Sequence, residues 1–495
     1  MSRRVLPLLL SASLAGCAVG PNFHRPAAPA AGGYTRQPPG KIAATDAAVA
    51  GGEQHFVAGL AVDRQWWRQF GSPQLDALVA AALHSNTDLA AARAAIRVAQ
   101  ETYRAQRGVL FPQVDASAST LRARSSQYLS PVPSQNIFQY NLQTAQVNVG
   151  YTLDLFGGNR RQVESARAQY EAQQFQGEAA ELTLAANVVV AAIQEASLRD
   201  QVAAAQAAVT DQEDILAIVQ RQRDRGAASG ADIAAQESAV AQARAALPAL
   251  SKALAQQQDL IAYLTGRTPA ETPVARVELA GLSLPRALPV SLPSQLVDQR
   301  PDIRSAEANL HAASAAVGVA IANRLPQLTL SAAAGGQSNL WSTILSAANR
   351  FWSIGAGIAQ PIFQGGALLH KQRAAEAAYQ QADAQYRSTV LGAFQNVADV
   401  LHALESDGQA LAAAQTGLDA ARRSLDIARR QYGGGAIAYP TLLTAQIAVR
   451  QSEGALIQAE AARMQDTVAL YQALGGGWNG AGSTPAGNAP AADGR

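Results

Sequence analysis

The side chains that could carry out covalent or metal chemistry are few and widely separated. The chain of 495 residues contains one cysteine, Cys17, and six histidines. The histidines lie at His24, His55, His84, His311, His370 and His402. The sequence has no HExxH pair, no GxSxG nucleophile turn and no GxxxxGK[ST] phosphate loop. We therefore expect no catalytic residue, no bound metal and no cofactor, and we predict that the protein is not an enzyme.

The cysteine follows a segment with the organisation of a signal peptide, which is predicted to span residues 1–16. A charged start and an apolar core precede the small residues expected before a cleavage site. Leu14-Ala15-Gly16 and Cys17 resemble the bacterial lipoprotein processing box, in which the thiol is acylated and the cysteine becomes the first mature residue. Ala18 stands where an aspartate would favour the inner membrane, so we expect delivery to the outer membrane.

Charge and hydropathy argue against two further classes of protein. The 39 basic and 37 acidic side chains give a formal net charge of +2, which does not predict nucleic-acid binding. Beyond the signal peptide no run of 18 apolar residues occurs, so we predict no transmembrane helix. Residues 17–73 are predicted to form a lipidated N-terminal arm, because residues 18–62 are rich in proline, glycine and alanine without periodicity.

The rest of the chain alternates helical and strand patterns. After a helical stretch over residues 74–107, apolar and polar residues alternate from Gln113 and again over 145–155, which predicts two strands. A proline-free helical run of about 65 residues follows; at ~1.5 Å per residue it is a rod of roughly 100 Å. Residues 231–264 then carry apolar side chains seven apart, which predicts a helix that packs back as a coiled coil; Gln212 interrupts the matching apolar seam.

This pattern occurs twice. Pro326 repeats Pro112 with an offset of 214 residues, and Asn396 repeats Asn187 with an offset of 209. Such matches predict one duplicated body rather than several unrelated domains. The predicted division is a first repeat over 74–265, an equatorial linker over 266–293, a second repeat over 294–474 and a flexible tail over 475–495.

Each repeat supplies two strands, and a sheet of four strands cannot close into a barrel. Open edges are not tolerated in a bilayer, so a membrane sheet of this size must be completed by other copies of the chain. Aromatic residues near the strand ends would suit the two membrane interfaces of such a barrel, with core packing as the alternative. They are Tyr128, Phe138, Tyr140, Phe156, Trp341, Phe351, Trp352 and Phe363.

Four short motifs, together with the duplication, resemble a known family. Val19-Gly20-Pro21-Asn22-Phe23 follows the cysteine, and Trp66-Trp67 opens the first helical stretch. Pro73-x-Leu75-x-x-Leu78 and Asn86-x-Asp88-Leu89 come next. In this order they are similar to the outer-membrane factor family of TolC-type channels, in its lipoprotein, NodT-like branch that serves tripartite RND-type efflux systems. The resemblance covers essentially the whole mature chain up to Gly475.

The resemblance implies both a fold and a function. The fold is mainly α with a membrane β-barrel: duplicated strand hairpins and long coiled-coil helices that form, as a homotrimer, a twelve-stranded β-barrel continuous with an α-helical periplasmic barrel. The function is the outer-membrane channel of a tripartite efflux pump, a passive conduit for drugs or other toxic small molecules. The partners are a periplasmic adaptor (membrane fusion) protein, an inner-membrane RND-type pump and outer-membrane lipid, with no nucleic acid.

The resemblance also indicates where the adaptor docks. In this family each long helix reverses through a glycine-containing turn, and glycine permits the backbone conformation that such a reversal needs. The alternative is that these residues are helix caps and nothing more. The matching positions are Arg223, Arg225, Gly226, Ala227 and Ser229 at the first tip, and Tyr432, Gly434, Gly435 and Ala436 at the second.

At the channel aperture the sequence departs from the family pattern. The family commonly places an aspartate in a Leu-Asp-Ala-Gln segment near the second tip, whereas this chain has Leu443-Thr444-Ala445-Gln446. We therefore take Asp224, Asp232 and Thr444 as candidates for the residues that narrow the aperture.

Two other functions fit parts of the sequence. A structural periplasmic coiled-coil lipoprotein would need the anchor and the long helices, but it has no use for the alternating strands. The same channel fold could instead serve protein secretion or metal-ion efflux, since cargo is selected largely at the pump.

Overall fold

The computed structural model describes residues 18–29, 31–37, 40–42, 44–45, 47, 49–126, 139–271 and 273–477. Several predicted features lie outside the described residues: the signal peptide, the acylation site Cys17, the aromatic residues Tyr128 and Phe138, and the tail from residue 478 onward.

The described elements follow the predicted order twice. Strand β1 (His55–Ala58) precedes the first repeat, which contains α1 (Pro73–Ser85), α2 (Thr87–Arg107), β2 (Gln113–Arg124), β3 (Gln139–Leu153), α3 (Gly158–Asp224) and α4 (Gly230–Leu264). Strand β4 (Ala287–Val290) lies in the linker, and the second repeat contains α5 (Pro293–Gln299), α6 (Pro301–Ala322), β5 (Gln327–Ser338), β6 (Arg350–Ala359), α7 (Ala367–Gly433) and α8 (Tyr439–Ala473). The long helices α3 and α7 each have 67 residues, in agreement with their proline-free runs.

The helices that lead into each hairpin differ from the prediction. The sequence predicts one helix in each repeat, but both are divided in two. Asn86 separates α1 from α2: its Oδ1 accepts a hydrogen bond from the Leu89 amide (2.9 Å) and caps α2, while its side-chain amide donates to the Leu264 carbonyl (3.0 Å). Arg300 separates α5 from α6 because the residue before a proline, here Pro301, is disfavoured in helical conformation.

The four long strands form one antiparallel sheet in the order β2-β3-β5-β6. Each repeat contributes one hairpin, and β3 pairs with β5 to join them, with Leu153 opposite Leu328. In the described part of the chain β2 and β6 each have a single neighbour, so both edges of the sheet are open.

The edge strands expose nearly all of their side chains, on both faces of the sheet. Alternate residues of β6 place large apolar groups on one face, where Trp352, Ile354 and Ile358 are 75%, 78% and 75% exposed. Phe363, just after β6, is 87% exposed. An apolar surface of this kind requires a cover. Trp352 and Phe363 are therefore not packed in the core, which was the alternative for these aromatic residues. That they face a membrane stays a prediction.

The N-terminal arm contains a strand that its composition does not predict. Strand β1 pairs in parallel with β4 of the linker. On α8 the fully buried Arg463 donates to Gln54 Oε1 (3.2 Å) and to the Gly52 carbonyl (2.6 Å). Glu460 on the same helix accepts a hydrogen bond from the Val49 amide (3.1 Å). This part of the arm is therefore bound to the linker and to α8.

The chain divides into two compact units that cut across the repeats. One unit comprises Met1–Pro26, Ala95–Gln174 and Ser305–Arg387 and contains the four-stranded sheet. The other comprises Ala27–Ala94, Phe175–Arg304 and Ser388–Arg495, and its core is built around Trp66, which stacks on Tyr471 with ring centroids 5.3 Å apart. Each unit draws on both repeats, so neither repeat is a domain by itself.

Helix α3 also contains the one apolar stretch that could cross a membrane by length and composition among the described helices. The sequence predicts no transmembrane helix. More than half of this stretch is buried within the protein, as expected of a core helix, and Val188, Val189 and Ile193 of α3 lie in the core of the second unit.

Candidate functional site: the two helix tips

The reversal from α3 to α4 is closed by backbone hydrogen bonds around Gly226. The Gly226 amide donates to the Arg223 carbonyl (2.8 Å), and the Ala227 amide donates to the Gln222 carbonyl (2.8 Å). This pair of bonds is the Schellman motif, which satisfies the last carbonyl groups of a helix when the next residue is left-handed. Gly226 has φ +75°, a conformation that costs a residue with a Cβ about 1 kcal/mol.

The reversal from α7 to α8 repeats this geometry around Gly435, which has φ +71°. Its amide donates to the Tyr432 carbonyl (3.0 Å), and the Ala436 amide donates to the Gln431 carbonyl (2.8 Å). The two glycines that the sequence repeat aligns therefore close both tips in the same way.

The two tips differ in how the returning helix begins. At the first tip Ser229 caps α4: its Oγ accepts a hydrogen bond from the Asp232 amide (3.2 Å), and the Asp232 carboxylate accepts from the Ser229 amide (2.8 Å) and hydroxyl (2.7 Å). These hydrogen bonds hold the pKa of Asp232 below its usual value. At the second tip α8 begins after Ala438, whose side chain cannot act as a cap.

Tyr439, the first residue of α8, is buried instead. Its hydroxyl donates to Gln236 Oε1 on α4. The Gln236 side-chain amide in turn donates to the carbonyl (2.7 Å) and to Oε1 (2.8 Å) of Gln212 on α3. Burial raises the pKa of Tyr439, with smaller contributions from Tyr432 and Asp232. Gln212, which interrupts the predicted apolar seam, is thus part of a hydrogen-bonded network that satisfies buried polar groups.

The structure brings the two tips side by side. Ala228 of the first tip and Ile437 of the second pack on the same apolar cluster, which includes Val219, Ile233 and Leu442. A cleft of about 520 Å³ lies between α3, α7 and α8 next to this cluster. Tyr432 lines it, and its hydroxyl donates to Gln222 Oε1 on α3 (3.1 Å). Arg450 also lines the cleft and links α8 to α3 through an ion pair with Asp211.

The predicted docking residues are exposed, except Tyr432, which is partly buried. On the helices leading to the tips, Arg244 forms an ion pair with Glu213 (2.5 Å), and Arg422 forms one with Glu453 (3.3 Å). At the first tip itself Arg223 and Arg225 form no ion pair with a described residue. The guanidinium groups of Arg223 and Arg225 are therefore exposed at the first tip and available to a partner.

The three aperture candidates have separate surroundings. Asp224 is exposed at the last position of α3, and Asp232 is held by Ser229. The Thr444 hydroxyl donates to the Pro440 carbonyl of its own helix (2.9 Å). Among the residues that the structure describes, no hydrogen bond or ion pair joins any two of the three candidates. Their part in the aperture stays a prediction.

Comparison with known proteins identifies the family of this chain. The sequence profile described as outer membrane efflux protein matches residues 78–267 and 292–476, well over half of the chain. The chain belongs to the outer membrane efflux protein family.

Individual relatives agree with this assignment. The pyoverdine export outer membrane protein OpmQ of Pseudomonas aeruginosa is 32% identical over 418 residues, which are 84% of this chain and 88% of that protein. The toluene efflux pump outer membrane protein TtgF of Pseudomonas putida is 28% identical over 98% of this chain and 99% of that protein. The solved structure of the outer-membrane channel OprN matches with a TM-score of 0.83 at 29% identity, covering 93% of this chain and 100% of that chain.

This outer membrane efflux protein is thus the outer-membrane channel component of an efflux pump, and the predicted fold class is confirmed. The family is one of efflux conduits rather than of enzymes. Its reversal glycines are visible in the sequence because they align between repeats. Periodicity does not find Gln236, Tyr439 and Arg450, which bond to residues far away in the chain; the interrupted seam at Gln212 is the sole sequence signal for that network.

Proposed function

We propose that this outer membrane efflux protein assembles as a homotrimer whose three four-stranded sheets close into one twelve-stranded membrane barrel. The open edges β2 and β6 carry the proposal. Unpaired backbone groups cost several kcal/mol each in hydrocarbon, so a sheet with two free edges is not stable there. Pairing β6 of one copy with β2 of the next satisfies both edges, and the exposed apolar face of β6 then meets lipid.

Acylation of Cys17 is the second part of the proposal. The signal peptide and the Leu14-Ala15-Gly16 segment before this cysteine support it. A barrel spans the membrane without help from a lipid, so the acyl chains add to an attachment that the sheet already provides. We expect a Cys17→Ser variant to remain in the outer membrane and to need detergent for extraction. Its release into the soluble periplasmic fraction would favour a structural coiled-coil lipoprotein instead.

The two helix tips are the proposed docking surface for a periplasmic adaptor protein, which couples the channel to an inner-membrane RND-type pump. Exposed backbone at Gly226, Gly434 and Gly435 allows a partner hairpin to approach closely, since these positions have no side chain. Arg223 and Arg225 add positive charge, which favours carboxylates on the partner's tip.

Small organic molecules are the proposed cargo. The relatives named for pyoverdine export and for toluene efflux support this class of compound. Metal-ion efflux and protein secretion remain the alternatives, because a passive conduit need not bind what it conducts.

Single-channel conductance in planar bilayers tests the proposal. Purified protein is measured alone and with a candidate periplasmic adaptor protein. We expect a small, flickering conductance that grows when the adaptor is added, because the tips hold the conduit closed. Well-folded protein with no conductance under either condition would contradict the channel assignment.

Charge reversal separates docking from the aperture. Arg223→Glu combined with Arg225→Glu should weaken adaptor binding and reduce its salt dependence, whereas reversal of Arg97 and Arg373, two exposed arginines far along the chain from the tips, should not. Asp224→Arg should change the conductance of the channel without adaptor. Unchanged conductance would remove Asp224 from the aperture.

A further inference from the structure

The first residues after Cys17 are held against the protein by directed contacts. The Val19 amide donates to the Phe156 carbonyl (2.9 Å), in the turn that joins β3 to α3. The buried guanidinium of Arg161, in the first turn of α3, donates to the Val19 carbonyl (3.3 Å) and to Asn22 Oδ1 (2.6 Å). One arginine thus donates hydrogen bonds to both the backbone and a side chain of the segment. A protein site that binds a peptide uses hydrogen bonds of these two kinds.

Helix α6 contacts the segment from the other side. The ring of Phe23 stacks on that of His311, with centroids 4.4 Å apart and planes within 13°. His311 Nε2 lies 2.8 Å from Glu164 Oε1, and Glu164 Oε2 accepts a hydrogen bond from Arg161 (2.8 Å). The carboxylate therefore fixes both groups that hold the segment. Arg25 adds a hydrogen-bonded ion pair with Glu307 of α6 (3.1 Å).

The fit leaves no room for side chains at two positions. A Cβ at Gly20, where φ is +92°, would lie 2.4 Å from the Cα of Gly318 on α6. A Cβ at Gly318 would lie 2.9 Å from the Val19 carbonyl oxygen. The backbone of the segment thus touches the backbone of α6, which only a glycine pair permits.

We infer that residues 19–23 are a docking peptide, and that the groove formed by Arg161, Glu164, His311 and Gly318 is its receptor site. The docked peptide fixes the point from which the acyl chains of Cys17 leave the protein; this part rests on the proposed acylation. Ala18 lies against Gly157 in the β3–α3 turn. Cys17 directly precedes Ala18, and consecutive Cα atoms are ~3.8 Å apart. The acyl chains are therefore attached close to the end of β3 and not at the end of a free tether.

Two readouts on the full-length acylated protein test this inference. Hydrogen–deuterium exchange of peptides covering residues 18–23 reports docking. We expect exchange slower by about tenfold or more than in the Arg161→Ala and Phe23→Ala variants. Phe23→Ala alters the peptide alone, so it leaves the helices of the groove intact. Arg167→Ala, which removes an exposed arginine paired with Glu171 on the same helix, is the matched control and should exchange like the wild type.

The second readout locates the lipid. Cells are fed a fatty acid that bears a diazirine near its carboxyl group, and cross-links are mapped by mass spectrometry. We expect cross-links at residues 153–158 in the wild type and their loss in Arg161→Ala.

Fast exchange in the wild type, or exchange unchanged in both variants, would overturn the docking site. Acylated protein without cross-links at this turn would overturn the mounting role. An intact mass without acyl chains would refute the proposed lipidation and, with it, the mounting role, while the exchange data still decide the docking site.

Discussion

The two helix tips share a backbone and differ in what stabilises it. Both close through the same Schellman hydrogen bonds around Gly226 and Gly435. The first tip then starts its returning helix with a local capping box between Ser229 and Asp232, whereas the second starts with the buried ring of Tyr439. Local polar bonds thus hold one tip, and long-range packing holds the other. The second tip should therefore be the more sensitive to changes in its neighbours.

Truncation of Tyr439 should have the largest effect. Tyr439→Ala removes a buried ring and leaves Gln236 Oε1 without the tyrosine hydroxyl, so we expect the free energy of local opening at the start of α8 to fall by about 3–5 kcal/mol. Hydrogen exchange of the first amides that are hydrogen-bonded within α8, from Leu443 onward, measures it. A loss below about 1 kcal/mol would mean that burial does not distinguish the second tip.

Tyr439→Phe separates the contribution of the hydrogen bond from that of the buried ring. The ring stays buried, but the hydrogen bond to Gln236 is lost, and the expected cost is about 1–3 kcal/mol. The same exchange measurement applies. Because Gln236 belongs to α4, the amides near Gln236 should also exchange faster; protection there equal to the wild type would show that the network does not couple the two tips.

The shared backbone predicts equal effects of alanine at the two reversal glycines. Gly226→Ala and Gly435→Ala should each cost about 1 kcal/mol of local opening free energy, since both glycines are left-handed. Gly417→Ala is the control: this glycine lies inside α7 with open space around it, so alanine should stabilise the helix by about 0.5–1 kcal/mol. Unequal costs at the two tips would show that the shared backbone geometry does not make the two glycines equally necessary.

The capping box should contribute about as much as a reversal glycine, but only at the first tip. Ser229→Ala should cost about 1 kcal/mol at the start of α4 and nothing at α8. Lowering the pH should also destabilise the start of α4. The pKa of Asp232 is lower in the folded protein, so its contribution is complete above the unfolded value of about 3.9 and is lost as the pH falls through the lower folded value. Exchange at the first tip measured toward pH 3 should rise more than that at the second tip, after correction for intrinsic rates.

The elements with a local signal could be predicted from the sequence. The long helices follow from proline-free runs, and the tip glycines follow from the repeat. The break at Asn86 also had a signal, because asparagine before Thr87-Asp88 is a good helix N-cap, although the helical periodicity on both sides favoured one helix. By contrast, β1 and β4 are four residues long and lack alternation, so their pairing is set by tertiary contacts.

The candidate site divides along the same line. The sequence places the reversals to the residue, but it does not show that Tyr439 reaches Gln236, which is 203 positions away. Likewise, the segment after Cys17 is visible as a motif, whereas its contacts with Arg161 and His311 arise from folding. Side-chain networks between distant segments leave no periodic trace in a single sequence.

The open edges of the sheet also constrain biogenesis. A chain that reaches the periplasm alone carries two strands whose backbone groups lack a partner and an apolar face on β6. Such edges pair with any strand they meet, so a slow encounter between correct copies competes with aggregation. The yield of folded channel should therefore depend on chain concentration and on chaperones that shield β2 and β6 until the copies meet.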